Sequence, residues 1–505
     1  MTNDIQPRLK VAIIGGGPGG LGAAIELGKL PFVDWDLYEK KPQISETGGG
    51  ISLQQHTWRM LELNGAAENI NAKDFYRPAD GQSGQTRNGR SGKLLAKRYH
   101  PDDALPHRLS CRMVRAKLQA ALLKNVDQSR VHVAKKLVGV EQLPDQRIRI
   151  SFEDGFVDEV DLLVGADGIR SFIRKFSFPE HAIRYNGQSA YRTIISKAKV
   201  EEINGIPWVP IFWNHVGGLY VFTCPLGGDD FEVTARIRRP GEGQDQVSWG
   251  QPFDFRRLLH EYDGFCLPIR QILRLAAEGD TQEFALFSGP RLEHVVSHGN
   301  IALIGDASHP LSGAFGAGAG FALEDVYALT KSLDWAWSRG KGLPDAISLF
   351  DSIRSPHYKG LYEVLDKFAS ANAKLVAEGL SIDQEIEERV KRMSEASEFW
   401  MYNYEVDKVV EEAIVEADKL ESERRADEAA KTTDSSAGGE TIASQEEPAK
   451  ESGRIAEVDE KTQPVRPGNE DLGLPPANEV GAVSVEFEKI DIRPNRQVEV
   501  LASGA

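Results

Sequence analysis

The run Val11-Ala-Ile-Ile-Gly15-Gly-Gly17-Pro-Gly-Gly20 constrains this 505-residue chain more than any other feature. Apolar residues that stop at glycine read as a buried strand. Leu21 to Leu30 follows as a helix and Trp35 to Glu39 as a second strand, a βαβ start. Each glycine then has a reason. Gly15 permits the tight turn after the strand, Gly17 lets backbone approach a pyrophosphate, and Gly20 lets helix and sheet pack closely. The helix start offers free N–H groups and partial positive charge to phosphates. Glu39 lies 19 residues past Gly20, where its carboxylate can accept hydrogen bonds from an adenosine ribose. Alone, this fingerprint does not separate FAD from NAD.

Two later segments separate them. Asp161-Leu-Leu-Val-Gly165-Ala-Asp167-Gly168-Ile-Arg170 is a strand ending in Asp-Gly, with Arg170 and Arg174 close behind. Ala302-Leu-Ile-Gly305-Asp306-Ala-Ser-His309-Pro310 is another buried strand. Asp306 at its end can bind the hydroxyls of a ribityl chain. The loop Gly316-Ala-Gly318-Ala319-Gly320 then leads into a helix from about Phe321. A glycine-rich helix start can approach a flat ring and stabilise negative charge on it, as reduced flavin requires. Three sites for one ligand imply a long cofactor: FAD, bound non-covalently, with adenosine at Glu39 and isoalloxazine near Gly316–Gly320.

Composition is that of an ordinary globular protein, 41% hydrophobic. No stretch reaches the roughly 20 apolar residues of a membrane span, and the short polar N-terminus leaves no room for a signal peptide. Cys111, Cys224 and Cys266 have no metal-ligand spacing, and so sparse a set argues for a reducing compartment. The expected location is the cytoplasm, and no metal site is expected. The net charge of −16 opposes nucleic-acid binding. Most of it is local, since residues 401–480 hold 21 acidic and 9 basic residues.

The fold class expected is α/β: a Rossmann-like FAD-binding domain of the glutathione-reductase type, an inserted, mainly antiparallel β-sheet substrate domain, and C-terminal helices. Residues 8–180 carry the first part of the FAD domain, and 291–380 the second. Between them, 181–290 changes to short runs rich in β-branched and aromatic residues, such as Trp208-Val-Pro-Ile-Phe-Trp213 and Gly218-Leu-Tyr-Val-Phe-Thr223. Thr47–Leu53 reads as a glycine-rich loop. Val131–Gln142 and Arg147–Val157 read as strands, and Phe255–Ala277 as helical. One helix is expected from Ile382 to about Ala430, within a charged stretch, 381–430. Residues 431–505 read as a mostly disordered acidic tail, although Val483–Ile492 could form a terminal strand.

With these motifs in this order, the chain resembles the class A flavoprotein aromatic monooxygenases of the para-hydroxybenzoate hydroxylase fold. It is most similar to the salicylate-hydroxylase-like group found in fungi and bacteria. The resemblance covers roughly residues 8 to 410. Gly316–Gly320 with Leu323-Glu-Asp325 is similar to that group's own third motif. Met113-Val-Arg115-Ala-Lys-Leu118 matches the helix that carries an FAD-contacting arginine, so the resemblance gives Arg115 that role. The loop Gly48-Gly49-Gly50-Ile51 matches the segment on the ribityl side, which places Gly49 and Gly50 at the cofactor. Phe350-Asp-Ser-Ile-Arg354-Ser-Pro356 resembles the helix turn that closes the fold, and Phe399–Asp407 the family's end. Asp167, Gly168 and Arg170 would serve both nucleotides.

The resemblance implies that NADH or NADPH reduces FAD and that oxygen adds at the flavin C4a. The resulting hydroperoxide hydroxylates or epoxidises a small aromatic ring. One departure stands out: Gly313 occupies the place where the family usually has proline, which implies looser packing and a roomier site. Arg192 sits where some indole-oxidising relatives carry a catalytic arginine, and Tyr220 lies on a strand expected to face the flavin. Either can also be structural. His309 reads as structural. Two rival readings stand beside the monooxygenase: a flavin reductase or dehydrogenase of a lipid or isoprenoid on the same fold, and a non-catalytic scaffold whose acidic tail binds a partner. Oligomeric state is left open.

Overall fold

All three motifs end adjacent parallel strands, and that fact organises the molecule. The computed structural model describes residues 8–46, 48–239, 249–311, 313–396, 400–436 and 498–500. In its six-stranded sheet Leu9–Ile14 lies between Val33–Tyr38 and Leu162–Gly165, and Ile301–Leu303 flanks the latter. All three pairings are parallel, with Ile14 beside Gly165 and Gly165 beside Leu303. Leu162–Gly165 and Ile301–Leu303 are buried throughout, and Leu9–Ile14 nearly so, which is why they read as unbroken apolar runs. The helices Pro18–Leu27 and Gly318–Ser338 pack on one another above this sheet. A Cβ at Gly20 would stand 1.8 Å from the Gly15 carbonyl oxygen, so only glycine allows the helix to start so close to the strand it leaves.

Among the described residues the second sheet has nine strands. In spatial order they are Trp249–Pro252, Gln282–Ser288, Arg184–Ser196, Asp230–Arg238, Tyr220–Gly227, Ile211–Asn214, Gln82–Asn88, Leu94–Tyr99 and Val498–Val500. Every pairing is antiparallel except that of Ile211–Asn214 with Gln82–Asn88. Alternation along the strands gives the sheet two faces. Tyr191, Ile211, Trp213, Val221 and Val233 form a core with the Phe255–Tyr262 and Leu267–Ala277 segments. The opposite face carries Arg192, Phe212, Tyr220, Phe222, Thr234 and Arg236.

Several elements differ from expectation. The sheet draws Gln82–Asn88 and Leu94–Tyr99 from ahead of residue 181, so its strands are not confined to 181–290. Gly50–Leu53, expected as loop, is a strand paired with Cys111–Val114. The run from 131 to 142 forms two strands, Val131–His132 and Leu137–Gln142, parted where Ala134 takes φ +54°. The run from 147 to 157 likewise splits into Ile148–Phe152 and Val157–Val160 around a turn at Gly155. The 255–277 pattern is a 3-10 segment followed by a helix.

The long C-terminal helix is two helices, Ile382–Ala396 and Val406–Ser436. Between them the short turn Trp400–Tyr402 buries Met401, and Trp400 and Tyr402 pack against the main core. The chain divides into a unit of Met1–Lys419 with Arg496–Ala505, and a second unit, Leu420–Asn495. Residues 431–436 are helical; the rest of 431–480, and Val483–Ile492, lie outside the described residues. Among the described residues no helix is long and apolar enough to cross a membrane.

Candidate active site

Because the three motif strands lie side by side and run the same way, their C-terminal turns open on one cleft, the usual ligand position in such sheets. A cavity of about 1430 Å³ is lined by Gly15, Gly17 and Glu39, then Gly50, Arg115, Asp167 and Gly168. It continues past Asp306, Gly316, Gly318 and Ala319 to Arg192 and Tyr220. Gly20 and Gly49 stand behind this lining. Gly20 holds the helix to the strand, and Gly49 faces Glu232, whose Oε1 would be 2.6 Å from a Cβ there.

Each expected residue has a definite setting. Glu39 is buried and accepts the Gly16 N–H at 2.7 Å and the Lys41 N–H at 2.8 Å, which fixes its carboxylate at the strand end. Arg115 opens the Arg115–Leu123 helix, and its Nε donates to Glu46 at 3.2 Å. Asp167 Oδ2 accepts the Phe172 and Ile173 N–H groups at 2.7 and 3.2 Å, capping the next helix. Its Oδ1 is buried with no hydrogen-bond partner among the described residues. Burial pushes the Asp167 carboxyl up, against hydrogen bonds from Ser171 and the helix start that lower it. Arg170 is exposed at the rim, over the Phe287 ring. Desolvation deep in the cleft raises the Asp306 carboxyl, although its side chain faces the cavity, with Arg115 and Arg174 opposing.

Arg174 joins two motifs: it donates to the Asp306 and Ala307 carbonyls at 2.9 and 2.8 Å, and to the Ile169 carbonyl.

A buried network holds the third motif from behind. Asp325 Oδ2 accepts the Gly305 N–H at 2.7 Å and the Tyr358 hydroxyl at 2.6 Å, while Oδ1 accepts Arg354 Nε at 2.6 Å. Arg354 also reaches Glu324 at 3.1 Å. With one guanidinium between two carboxylates, Asp325 takes the stronger bonds. Burial pushes Glu324 up to about 8 despite Arg354. His309 is buried and stacks on Tyr358 with ring centroids 3.8 Å apart, and burial holds its pKa down to about 3. It is a neutral structural ring.

The cleft fits FAD. The helix from Pro18 opens on it with first-turn N–H groups that lack intrahelical partners. Asp167 Oδ1 is an orphaned buried acceptor at mid-cleft, and the Asp306 side chain is exposed to the cavity it lines. A Cβ at Gly168 or Gly313 would meet nothing within 4 Å, so both loops border open space. Gly316, at φ +64°, and the N-terminus of the Gly318–Ser338 helix border the same space.

Sequence reasoning missed Glu232, Arg112 and Arg236. Glu232, 2% exposed, forms an ion pair with Arg112 and accepts the Gly50 N–H at 3.1 Å. Burial alone would raise its carboxyl; Arg112, then Arg192, bring it below the usual value. Arg192 lies over the Phe284 ring, 5.1 Å from the centroid, and its Nε is buried with no hydrogen-bond partner among the described residues. Arg236 donates to the Tyr220 hydroxyl at 3.3 Å and to Gln188. A faint signal existed: Glu232 shares the polar phase of a strictly alternating strand with Thr234 and Arg236. Tyr402 was also missed as a cavity residue; its hydroxyl donates to the Phe315 carbonyl at 2.7 Å.

Comparison with known proteins agrees with this geometry. Residues 8–249 match the family model described as FAD binding domain. The chain is 28% identical to a salicylate hydroxylase of Pseudomonas putida over 455 residues, covering 81% of this chain and 95% of that one. It is 27% identical to a 6-methylsalicylate 1-monooxygenase of Aspergillus terreus, covering 69% and 79% respectively. Its fold superposes on a solved salicylate hydroxylase substrate complex with a TM-score of 0.66 at 22% identity, covering 81% of this chain and 98% of that one.

Proposed function

We propose, from the premise that this chain is a class A FAD-dependent aromatic monooxygenase, that it hydroxylates a small aromatic substrate held between Arg192, Arg236 and Tyr220. NADH or NADPH is the reductant. The observation that carries this reading is the continuity of one cavity from Glu39 to the aromatic face of the second sheet. A cofactor lying along the first half brings its ring to the second.

Bound FAD, once reduced, supplies the activation of oxygen; the protein binds, orients and excludes water. Gly17 and the Pro18–Leu27 helix start hold the diphosphate. Glu39 holds the adenosine ribose, and Asp306 the ribityl hydroxyls. Arg115, Gly50 and the backbone of Gly316–Ala319 flank the flavin. Asp167, Gly168 and Arg170 serve at the nucleotide rim. On the substrate side Phe212, Phe222 and Phe284 present ring faces and exclude water. Arg192 and Arg236 are cations without a carboxylate of their own at hydrogen-bond distance among the described residues, and they orient an anionic substituent. The Tyr220 hydroxyl accepts a hydrogen bond from Arg236 and can donate its own proton to a substrate oxygen. The unpaired state of all three cysteines supports a cytoplasmic setting. The formal charge of −16 argues against a nucleic-acid partner.

The test is direct. The purified protein is expected to be yellow, with flavin absorbance in stoichiometric amount. Aromatic acids, phenols and indoles are screened for stimulated NAD(P)H oxidation and for products heavier by one oxygen atom. A colourless protein, or turnover with an electron acceptor and no oxygen uptake, contradicts the reading. Arg192→Gln is expected to raise KM for an acid substrate about tenfold or more while the flavin spectrum is retained.

A further inference from the structure

The floor of the cavity is a row of side chains in register. Arg192, Thr234, Phe222, Phe212 and Thr86 are Cα partners across five adjacent strands, and all five line the cavity. Thr86 is paired in turn with Ala96 on the next strand. Two residues along that strand stands Arg98, on the same face as Ala96 and also on the cavity wall. Its guanidinium lies over the Phe212 ring, 5.6 Å from the centroid. Burial lowers its pKa, and the titratable group facing it is the Tyr402 phenol.

The Ile382–Ala396 helix closes this end. Ile386 and Val390 pack on Leu95 and Ala96, and Val390 and Met393 face the cavity. Its carboxylates toward the sheet are committed elsewhere. Asp383 accepts from Asn88 at 3.1 Å. Glu385 accepts from the Gly217 N–H at 3.2 Å and from Arg389 at 2.6 Å. Glu387 pairs with Lys93 at 2.9 Å. The helix is thus clamped over the cavity end without supplying Arg98 a counter-ion among the described residues.

Arg192 and Arg98 are five strand spacings apart, on the order of 24 Å at the backbone. An acid of one ring held at Arg192 leaves Arg98 unmet. We propose that Arg98 is a second anion-binding site, and that beyond small single-ring substrates the cavity accepts elongated ones: an aromatic ring near Arg192 and Tyr220, with an arm that crosses Phe222 and Phe212 and ends in a carboxylate held by Arg98 beneath the Ile382–Ala396 helix. This rests on the hydroxylase reading for the ring end only. The anion site itself stands on the floor, the cap and the lone guanidinium.

The experiment uses 4-hydroxyphenyl-alkanoic acids of stepwise increasing chain length, each beside its methyl ester, titrated calorimetrically into the FAD-loaded protein and the FAD-stripped protein. Affinity of the acids is expected to rise about tenfold or more once the chain spans the floor, with no such step for the esters. In Arg98→Gln the long acid and its ester bind alike, and Arg98→Lys keeps part of the step. Long acids that bind no tighter than their esters, or fail to bind at all, overturn the proposal. So does a step that survives in Arg98→Gln. An Arg98-dependent step without oxygenated product sinks the hydroxylase reading and leaves the anion site. Hydroxylation of single-ring acids with no step does the reverse.

Discussion

Gly313 takes φ +69°, and a Cβ there would touch nothing within 4 Å. The loosened loop expected from glycine in this place is thus a different backbone course, because proline fixes φ near −65°. Gly313→Pro is expected to displace the loop beside Gly316 and to lower the flavin bound per protein, read from the ratio of flavin to protein absorbance. Gly313→Ala incurs only the left-handed backbone penalty, roughly 1 kcal/mol, and keeps its flavin. Glu232 is the opposite case, crowded and fully engaged. Glu232→Gln leaves Arg112 buried without a counter-charge and is expected to destabilise by about 3–5 kcal/mol in urea unfolding. The glycine loop at Gly49 and Gly50 was legible, but the protein groups crowding it are Glu232 at Gly49 and Leu226, Arg112 and Glu232 at Gly50, and Glu232 lies 182 residues from Gly50. Glycine spacing reports that room is needed and does not say for what.

At the level of elements, the motif strands were legible because burial on both faces leaves unbroken apolar runs ending in glycine. The strand Gln82-Ser-Gly-Gln-Thr-Arg-Asn88 had no such pattern; it carries no apolar side chain, and one of its two partners, Ile211–Asn214, lies far along the chain. The break between Ile382–Ala396 and Val406–Ser436 hid in a charged helical pattern that runs on either side of an uncharged aromatic segment, 399–404. There the aromatic residues of 400–404 turn inward, and Arg59 forms ion pairs with Glu405 and Asp407. The Gly318–Ser338 helix, expected from about Phe321, and the Leu343–Ala377 helix, which carries the Phe350–Pro356 segment, share a task set by Arg354. Its guanidinium is fully buried between Glu324 and Asp325, and Asp325 in turn holds the Gly305 N–H. Arg354→Met should therefore act at a distance. It is expected to destabilise by about 3–5 kcal/mol and to weaken FAD retention through the Gly305-Asp306 turn. Asp325→Asn, which keeps one acceptor and the size, is expected to lose less. Parallel measurement of unfolding midpoint and FAD dissociation constant checks both.

Across the whole molecule, the order of the motifs along the chain foretold one cleft but not its floor, which is assembled from strands on both sides of the second motif. The buried core beneath that cleft also sets how the protein responds to pH. Burial holds His56 at about 4, His309 at about 3 and His357 well below the ordinary value. Such groups are charged earlier in the unfolded chain, so their stabilising contribution is complete above about pH 6.5 and is lost as pH falls toward their folded values. Glu324 works in the other direction. Raised to about 8, it contributes fully below about pH 4.5 and loses that contribution as pH rises through 8. Of these groups the three histidines dominate the acid side, and the Asp167, Asp306 and Asp325 carboxyls, which burial also raises, act in the same sense as Glu324. The urea midpoint is expected to peak near pH 6.5, to fall steeply toward acid and gently toward alkali. Glu324→Gln carries no titrating proton, so it is expected to flatten the alkaline limb and leave the acid limb in place. An alkaline limb unchanged in that variant would mean that Glu324 is already ionised beside Arg354 at neutral pH.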